Sequence, residues 1–234
     1  MGLVGHRGVR AGPEAENTIA AFERALSEGA AAVELDVRLC ATGEAVVFHD
    51  PDLKRATNGA DMREVRHVAY SELASMHLFG APQGAPLLRH VLELARDRGA
   101  GVNVEMKHDL TAAGPLVNEV VHELGRATFD VLVSSFDPRL LGRIKARAPS
   151  TRIALLTTSE RRWSLPLARL AARSRALHAV HLERTQVSAN VVRVLQRRGV
   201  RIGVWTVNDA NEARAMRKLG VDWLITDDPG ALAS

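Results

Sequence analysis

The stretch SANVVRVLQRRGVRIGVWTVNDANEARAMRKLGVDWLIT, residues 188–226, holds one structural phrase twice. An Ala/Leu/Arg segment with helical spacing ends at Gly199 and gives way to the β-branched run Ile202–Trp205. A second such segment, Ala210–Leu219, ends at Gly220 and leads into Trp223–Ile225. A glycine past the last helical turn supplies the left-handed conformation that stops a helix, and a short apolar run after it reads as a buried strand. Ser188 marks the start of the first helix as an N-cap.

The same phrase runs outward through the chain. It predicts strands at Leu3–Gly5, Ala32–Val37, Gly101–Met106, Val131–Ser134, Arg152–Leu156 and Ala179–Leu182, besides the two above. Helices are predicted at Thr18–Glu28, Leu87–Arg98, Gly114–Leu124, Pro138–Ala146, Leu165–Ser174, Ala189–Arg198 and Ala210–Leu219, with Asp137-Pro138 as a further N-cap and first-turn proline. Eight strands alternating with helices is the count of a (β/α)8 TIM barrel, a fold of about 250 residues, and the chain has 234. A doubly wound sheet would want a Gly-rich phosphate loop at the first turn, and His6-Arg7-Gly8 is no such fingerprint. One segment breaks the rhythm. Between about residues 50 and 84 lies a polar, Gly- and Pro-marked stretch, read as an insertion after strand two with a short helix at Tyr70–Met76. No linker divides the chain elsewhere, so one domain over 1–234 is expected.

Composition excludes several classes. Hydrophobic residues are 46% and charged residues 25%, as in ordinary globular proteins. No apolar run approaches the roughly 18 residues of a membrane span, so no stable membrane insertion is expected. Cys40 is the only cysteine, which rules out an internal disulfide and a thiolate metal cage. With no leader pattern at the N-terminus, a reducing, cytoplasmic setting is expected. The net charge is +4, and 27 of the 31 basic residues are arginines spread through helix-like segments. A nucleic-acid binder should show a basic stripe. The densest pairs, Arg161-Arg162 and Arg197-Arg198, read first as solvated helix faces and second as attraction for a small anion.

The polar residues at strand ends are of an unusual kind. Glu34 and Asp36 alternate with Val33, Leu35 and Val37, so both carboxylates point to one face of the strand. If Leu35 and Val37 pack on helices, the carboxylates face the barrel axis. Asn103, Glu105 and Lys107 repeat the design on the next strand. Converging carboxylates repel unless protonated or bound to cations. They form either an oxygen-rich site for Mg2+ or Ca2+, or a set of buried salt bridges with Arg7, Arg38 and Lys107. A hairpin after strand two brings His49 over the same mouth as His6, a pairing suited to proton transfer in both directions. His67, His77, His90, His122 and His178 lack carboxylate company, whereas His108 and His181 lie near strand ends and are candidate supporting groups.

Taken together these residues resemble the glycerophosphodiester phosphodiesterase family. The pattern comprises His6-Arg7-Gly8, Glu16-Asn17-Thr18, Glu34-Leu35-Asp36, Val46-Val47-Phe48-His49-Asp50 and Asn103-Val104-Glu105-Met106-Lys107. It continues through Ser135-Phe136-Asp137, Val204-Trp205-Thr206-Val207-Asn208 and Thr226-Asp227-Asp228-Pro229, from residue 3 to about 230. The chain departs from it at Pro13-Glu14-Ala15 before Glu16, at the short turn Ala41-Thr42-Gly43-Glu44, and at Pro86-Leu87-Leu88-Arg89.

The resemblance implies a TIM barrel with a divalent cation, Mg2+ or Ca2+, held by Glu34, Asp36 and Glu105. It implies His6 and His49 as the general acid/base pair, Arg7 on phosphate, Lys107 beside metal and phosphate, Trp205 as an apolar wall of the pocket, and the insertion as a cap. It also implies hydrolysis of a small glycerophosphodiester to sn-glycerol 3-phosphate and an alcohol. The alternative is a lysophospholipase D or sphingomyelinase D-like enzyme acting on lipids, which would want an exposed apolar rim. The insertion offers Met62, Val65, Val68, Tyr70, Met76, Leu78 and Phe79 for that role. A binding protein without catalysis would have lost part of the His and carboxylate set, and all of it is present.

Overall fold

The architecture follows from alternation within strands and caps between them. In a computed structural model of the chain, residues 2–107, 113–129, 131–174 and 176–233 are described. The strands are β1 (Gly2–His6), β2 (Ala32–Leu39), β3 (Ala45–Val47), β4 (Gly101–Met106), β5 (Val131–Ser135), β6 (Arg152–Thr157), β7 (Ala179–Glu183), β8 (Arg201–Trp205) and β9 (Trp223–Thr226). All but β3 are parallel, in the order β1-β2-β4-β5-β6-β7-β8-β9, and β9 pairs with β1 to close the ring. The expected (β/α)8 barrel forms. β3 folds back antiparallel on the end of β2, with Val37 opposite Val47 and Leu39 opposite Ala45.

The α-helices among the described residues are α1 (Ile19–Ser27), α2 (Tyr70–Ser75), α3 (Leu88–Arg98), α4 (Ala113–Leu124), α5 (Pro138–Arg147), α6 (Ser164–Ala171), α7 (Ala189–Gln196), α8 (Ala210–Lys218) and α9 (Pro229–Leu232), and short 3-10 turns lie at Val65–His67, Ala172–Ser174 and Arg184–Gln186. Their starts are chemically specified: the side chains of Thr18, Asp137, Ser188 and Asp209 accept backbone N–H groups of the first turns of α1, α5, α7 and α8. Gly99 closes α3 at φ 62°. Between barrel and helices lies one large apolar core that includes Phe22, Leu35, Val37, Val104 and Leu182. Leu35 and Val37 therefore do point to the helices, which turns Glu34 and Asp36 to the barrel axis.

Between β3 and α3 the chain builds a second, smaller core from Phe48, Leu53, Leu73, Leu78 and Leu87, closed by Cys40, which is buried and unpaired. Arg161 and Arg162 are not on a helix face. They lie in the loop between β6 and α6, where the Ser164 hydroxyl and the Thr158 backbone bond each other and delay the helix to Ser164.

The turn after β1 depends on Gly8. It sits at φ +84°, and a Cβ there would lie 2.5 Å from the backbone carbon of Ala21 in α1. An alanine is both conformationally strained and sterically blocked. Gly8→Ala is expected to lower the urea midpoint by the equivalent of more than about 1 kcal/mol; an unchanged midpoint would show that α1 can move away freely.

Candidate active site

Strand register assembles the site. His6 of β1 pairs with Glu34 of β2, Glu34 with Asn103 of β4, and Asp36 with Glu105. Side chains of paired residues leave a parallel sheet on the same face, so all converge inside the C-terminal mouth. Glu34, Asp36 and Glu105 are 3%, 0% and 8% exposed, and one oxygen of each lies within 4.8 Å of the others.

Two cations answer these three carboxylates. Lys107 Nζ lies 2.8 Å from Asp36 Oδ1 and also bonds Glu105. Arg7 Nε lies 3.0 Å from Asp36 Oδ2, off the line of a good hydrogen bond, and the Arg7 backbone N–H donates to Glu34 Oε2 at 3.1 Å. Electrostatics shows the imbalance. Burial, and then repulsion from Asp36 and Glu105, drives Glu34 well above the usual carboxylate range. Burial acts on Asp36 in the same direction, yet Lys107 and Arg7 outweigh it and hold that group below its ordinary value. Glu105 is raised, chiefly by burial. Burial would lower Lys107, but Glu105 and Asp36 keep it raised.

The donor set fits a hard divalent cation. It is all oxygen, it is buried, and it sets three carboxyl groups against two cations. The Asn103 amide lines the same cavity with neither Oδ1 nor Nδ2 hydrogen-bonded, so polar capacity in the pocket is left for an ion, water or substrate. Asn17 steadies the set from outside: its Nδ2 donates to Asp36 Oδ2 at 2.9 Å. Both Asn17 (φ 60°) and Arg7 (φ 54°) hold left-handed backbone, a strain that the mouth's hydrogen bonds sustain.

Each histidine is held by its own aspartate. His6 Nδ1 lies 2.7 Å from Asp227 Oδ1, and His49 Nδ1 lies 2.6 Å from Asp50 Oδ1. With carboxylates as acceptors the Nδ1 atoms carry protons, which leaves each Nε2 for chemistry; His6 Nε2 is 4.0 Å from Glu34 Oε2. Asn208 Nδ2 donates to the other oxygen of Asp227 at 2.8 Å. Arg55 ties the second pair down, donating from Nε to Asp50 and from its terminal nitrogen to Glu16 Oε1 at 2.6 Å. His49 is pushed down to about 4, by burial first and by Lys107 second, so its ring is neutral at pH 7.

His6, Arg7, Glu34, His49, Glu105, Lys107 and Trp205 line one cavity of about 200 Å3. Asp36 is not part of that lining and is ion-paired with Arg7 and Lys107, which are. Trp205 meets Phe136 edge-on at 5.6 Å and donates from Nε1 to the His181 carbonyl at 3.2 Å. His181 itself does not join the site. Its ring lies deeper in the barrel against Gly203 and Trp223 and lines a separate cavity. His108 lies outside the described residues. Arg38 Nε donates to the His49 carbonyl at 2.9 Å.

The family model for the glycerophosphoryl diester phosphodiesterase family matches residues 6–231. The chain belongs to this family. A glycerophosphodiester phosphodiesterase of Caldanaerobacter subterraneus is 34% identical over 227 residues, covering 93% of this chain and 90% of its own. The family's Thermotoga maritima crystal structure, that of a glycerophosphodiester phosphodiesterase, matches at a TM-score of 0.83 with 30% identity, over 99% of this chain and 96% of that one. An Oleispira antarctica phosphodiesterase, solved in complex with the product sn-glycerol-3-phosphate, shares the fold at a TM-score of 0.89 and 22% identity, over 100% of this chain and 95% of its own. The resemblance carried by the motifs is met, and with it the expectation of an enzyme of the phosphodiesterase class.

Within this family member, sequence reasoning passed over Asp227, Asp50, Asn17 and Asn208 as working parts, although each lay inside a quoted motif. The signal for Asp227 was its place just after β9, where a side chain overlooks the mouth. Second-layer groups of this kind typically matter about 10–100-fold in metal affinity. Asn17→Gly keeps the left-handed backbone and removes the amide, and calorimetric titration with Ca2+ or Mg2+ is expected to show binding weakened by about that factor. Unchanged affinity would mean that Asp36 needs no outside support.

Proposed function

We propose that the chain hydrolyses small glycerophosphodiesters to sn-glycerol 3-phosphate and an alcohol, with His6 and His49 as the acid/base pair. The carrying observation is the pair of imidazoles, each fixed at Nδ1 by an aspartate and both facing one cavity, above a carboxylate cluster flanked by Arg7 and Lys107. Family membership and the product found in the Oleispira antarctica enzyme support the substrate class.

On this reading the phosphodiester enters with its charged oxygens toward Arg7 and Lys107, which gain interaction as negative charge grows in the transition state. His49, neutral at pH 7 and held by Asp50, accepts the proton of the attacking oxygen. His6, oriented by Asp227, donates to the departing alkoxide. A divalent cation bound by Glu34, Asp36 and Glu105 would supply further positive charge against the phosphate oxygens. Trp205 and Phe136 provide an apolar wall beside the reacting group. The segment of about residues 50–84 belongs to the same domain and caps one side of the mouth, with Arg55 joining it to Asp50 and Glu16.

A lipid-directed reaction is not favoured. Of the apolar residues in that segment, Val65, Val68 and Leu78 are buried in its small core, and Tyr70, Met76 and Phe79 pack against it. Among the described residues the exposed large hydrophobics are Met62 in that segment, Trp163 in the loop before α6 and Leu170 on α6. Such scattered groups do not make a membrane-facing rim.

A coupled assay for glycerol 3-phosphate tests the reading. Wild type is expected to release it in Mg2+ or Ca2+ and to fall silent in EDTA. His6→Ala and His49→Ala should each lose about 10²–10⁴-fold in kcat with the fold intact. Since His49 works deprotonated, its own share of the acid limb of kcat/KM, read at saturating metal, should lie well below pH 6.5. Near-normal turnover of either variant would contradict the assignment.

A further inference from the structure

Residues 158–163 join β6 to α6 at the barrel mouth and carry the Arg161-Arg162 pair, for which the chemistry above has no use. The loop is firmly tied. The Thr158 and Ser159 hydroxyls donate to Glu183 Oε2 at the end of β7, at 2.9 and 2.7 Å. The Arg161 N–H donates to the Thr158 carbonyl at 3.2 Å, and the Ser164 N–H donates to the Arg161 carbonyl at 2.7 Å. This tight turn sets the Arg161 guanidinium over the ring of Phe136, 5.5 Å from its centroid. Phe136 and its edge-on partner Trp205 both line the catalytic cavity. Arg161 is exposed and forms no ion pair among the described residues. The nearby carboxylate of Glu183 is taken up by the loop's own hydroxyl and amide donors. Arg162 adds a second positive charge and Glu160 and Glu183 are the neighbouring carboxylates, so it is the Arg161 cation itself, seated on Phe136, that the cavity wall carries.

Resting on the phosphodiesterase reading, we infer that Arg161 selects the charge class of the substrate: diesters of a neutral or anionic alcohol over diesters of an alcohol that carries an ammonium group. An aromatic wall ordinarily attracts a quaternary ammonium through its ring faces. Here a face of Phe136 is already covered by a guanidinium. An ammonium entering the cavity finds that ring face taken and meets a like charge at the rim, whose effect is strongest at low salt. A glycerol or other polyhydroxylated alcohol carries no such penalty, and an anionic one gains.

The comparison that isolates this effect is the ratio of kcat/KM for glycerophosphoglycerol to that for glycerophosphocholine. Both carry one phosphodiester charge and both yield glycerol 3-phosphate, so any general pull of Arg161 on the phosphate cancels in the ratio. Wild type at low salt is expected to favour the neutral alcohol by about two- to thirtyfold, the range for two like charges about 8 Å apart between bulk-water and protein-surface screening. Arg161→Gln should bring the ratio close to unity, Arg161→Glu should invert it, and about 1 M salt should compress the wild-type value. The same ratio in all three proteins would overturn the inference while leaving the phosphodiesterase reading standing. Failure of the wild type to hydrolyse either substrate would overturn both.

Discussion

Three carboxylates share the inside of the barrel mouth, and their mutual repulsion is the constraint that the surrounding structure answers. Glu34, Asp36 and Glu105 are packed there by strand register alone, since β2 and β4 pair with Asp36 beside Glu105. Unfolded, the three groups would be hydrated and far apart. Folded, they surrender water and approach one another, a cost of several kcal/mol per ion unless positive charge meets them. Lys107 and Arg7 supply two such charges. Glu34 is left displaced furthest upward, because burial and its two neighbours act on it together. Two side-chain cations against three carboxylates leave one negative charge unanswered, and the three oxygens are placed so that they could hold a divalent cation.

Much of the mouth can be understood as support for that centre. Arg7 reaches Asp36 because the chain turns left-handed after β1, and that turn is possible because Gly8 follows it in contact with α1. Glu16 then gathers Arg7, Arg10 and Arg55, so the loop before α1 and the segment after β3 meet over the site. Arg10 also reaches Asp227, which holds His6, and Arg55 reaches Asp50, which holds His49. The two histidines thus sit in equivalent settings on opposite ends of one polar network. Such a network keeps each ring in one tautomer and one orientation, the condition for proton transfer at a fixed distance.

The barrel was legible because it is written in local rules. Helix-stopping glycines, capping residues and alternating strands recur, and each reports on neighbours within a few positions. Glu34 and Asp36 were legible as an inward pair for the same reason: a period of two needs only Leu35 and Val37 to fix its phase. The aspartate behind His6 was not, since the two residues are 221 positions apart and meet only when β9 closes on β1. Asp50 was adjacent to His49 in sequence, but no rule of spacing turns its carboxylate onto Nδ1. Arg161 was misplaced for a different reason. Its neighbours are compatible with a helix, and the bonds that hold residues 158–163 as a turn over the mouth include those to Glu183, which comes from another strand. Local pattern predicts elements well; side chains whose partners come from another strand need the closed barrel.

Thermal unfolding with and without metal tests the central claim most directly. If the buried carboxylates are built around a divalent cation, the chelated wild type should melt below the same protein in excess Ca2+ or Mg2+, because a ligand that binds only the folded state raises its stability. Glu34→Gln removes one of the three repelling charges, so its chelated form should melt above chelated wild type, with a smaller response to metal. A wild-type midpoint indifferent to Ca2+ and Mg2+, together with a Glu34→Gln variant less stable than wild type in chelator, would show that the cluster is satisfied by Arg7 and Lys107 alone and would contradict the account.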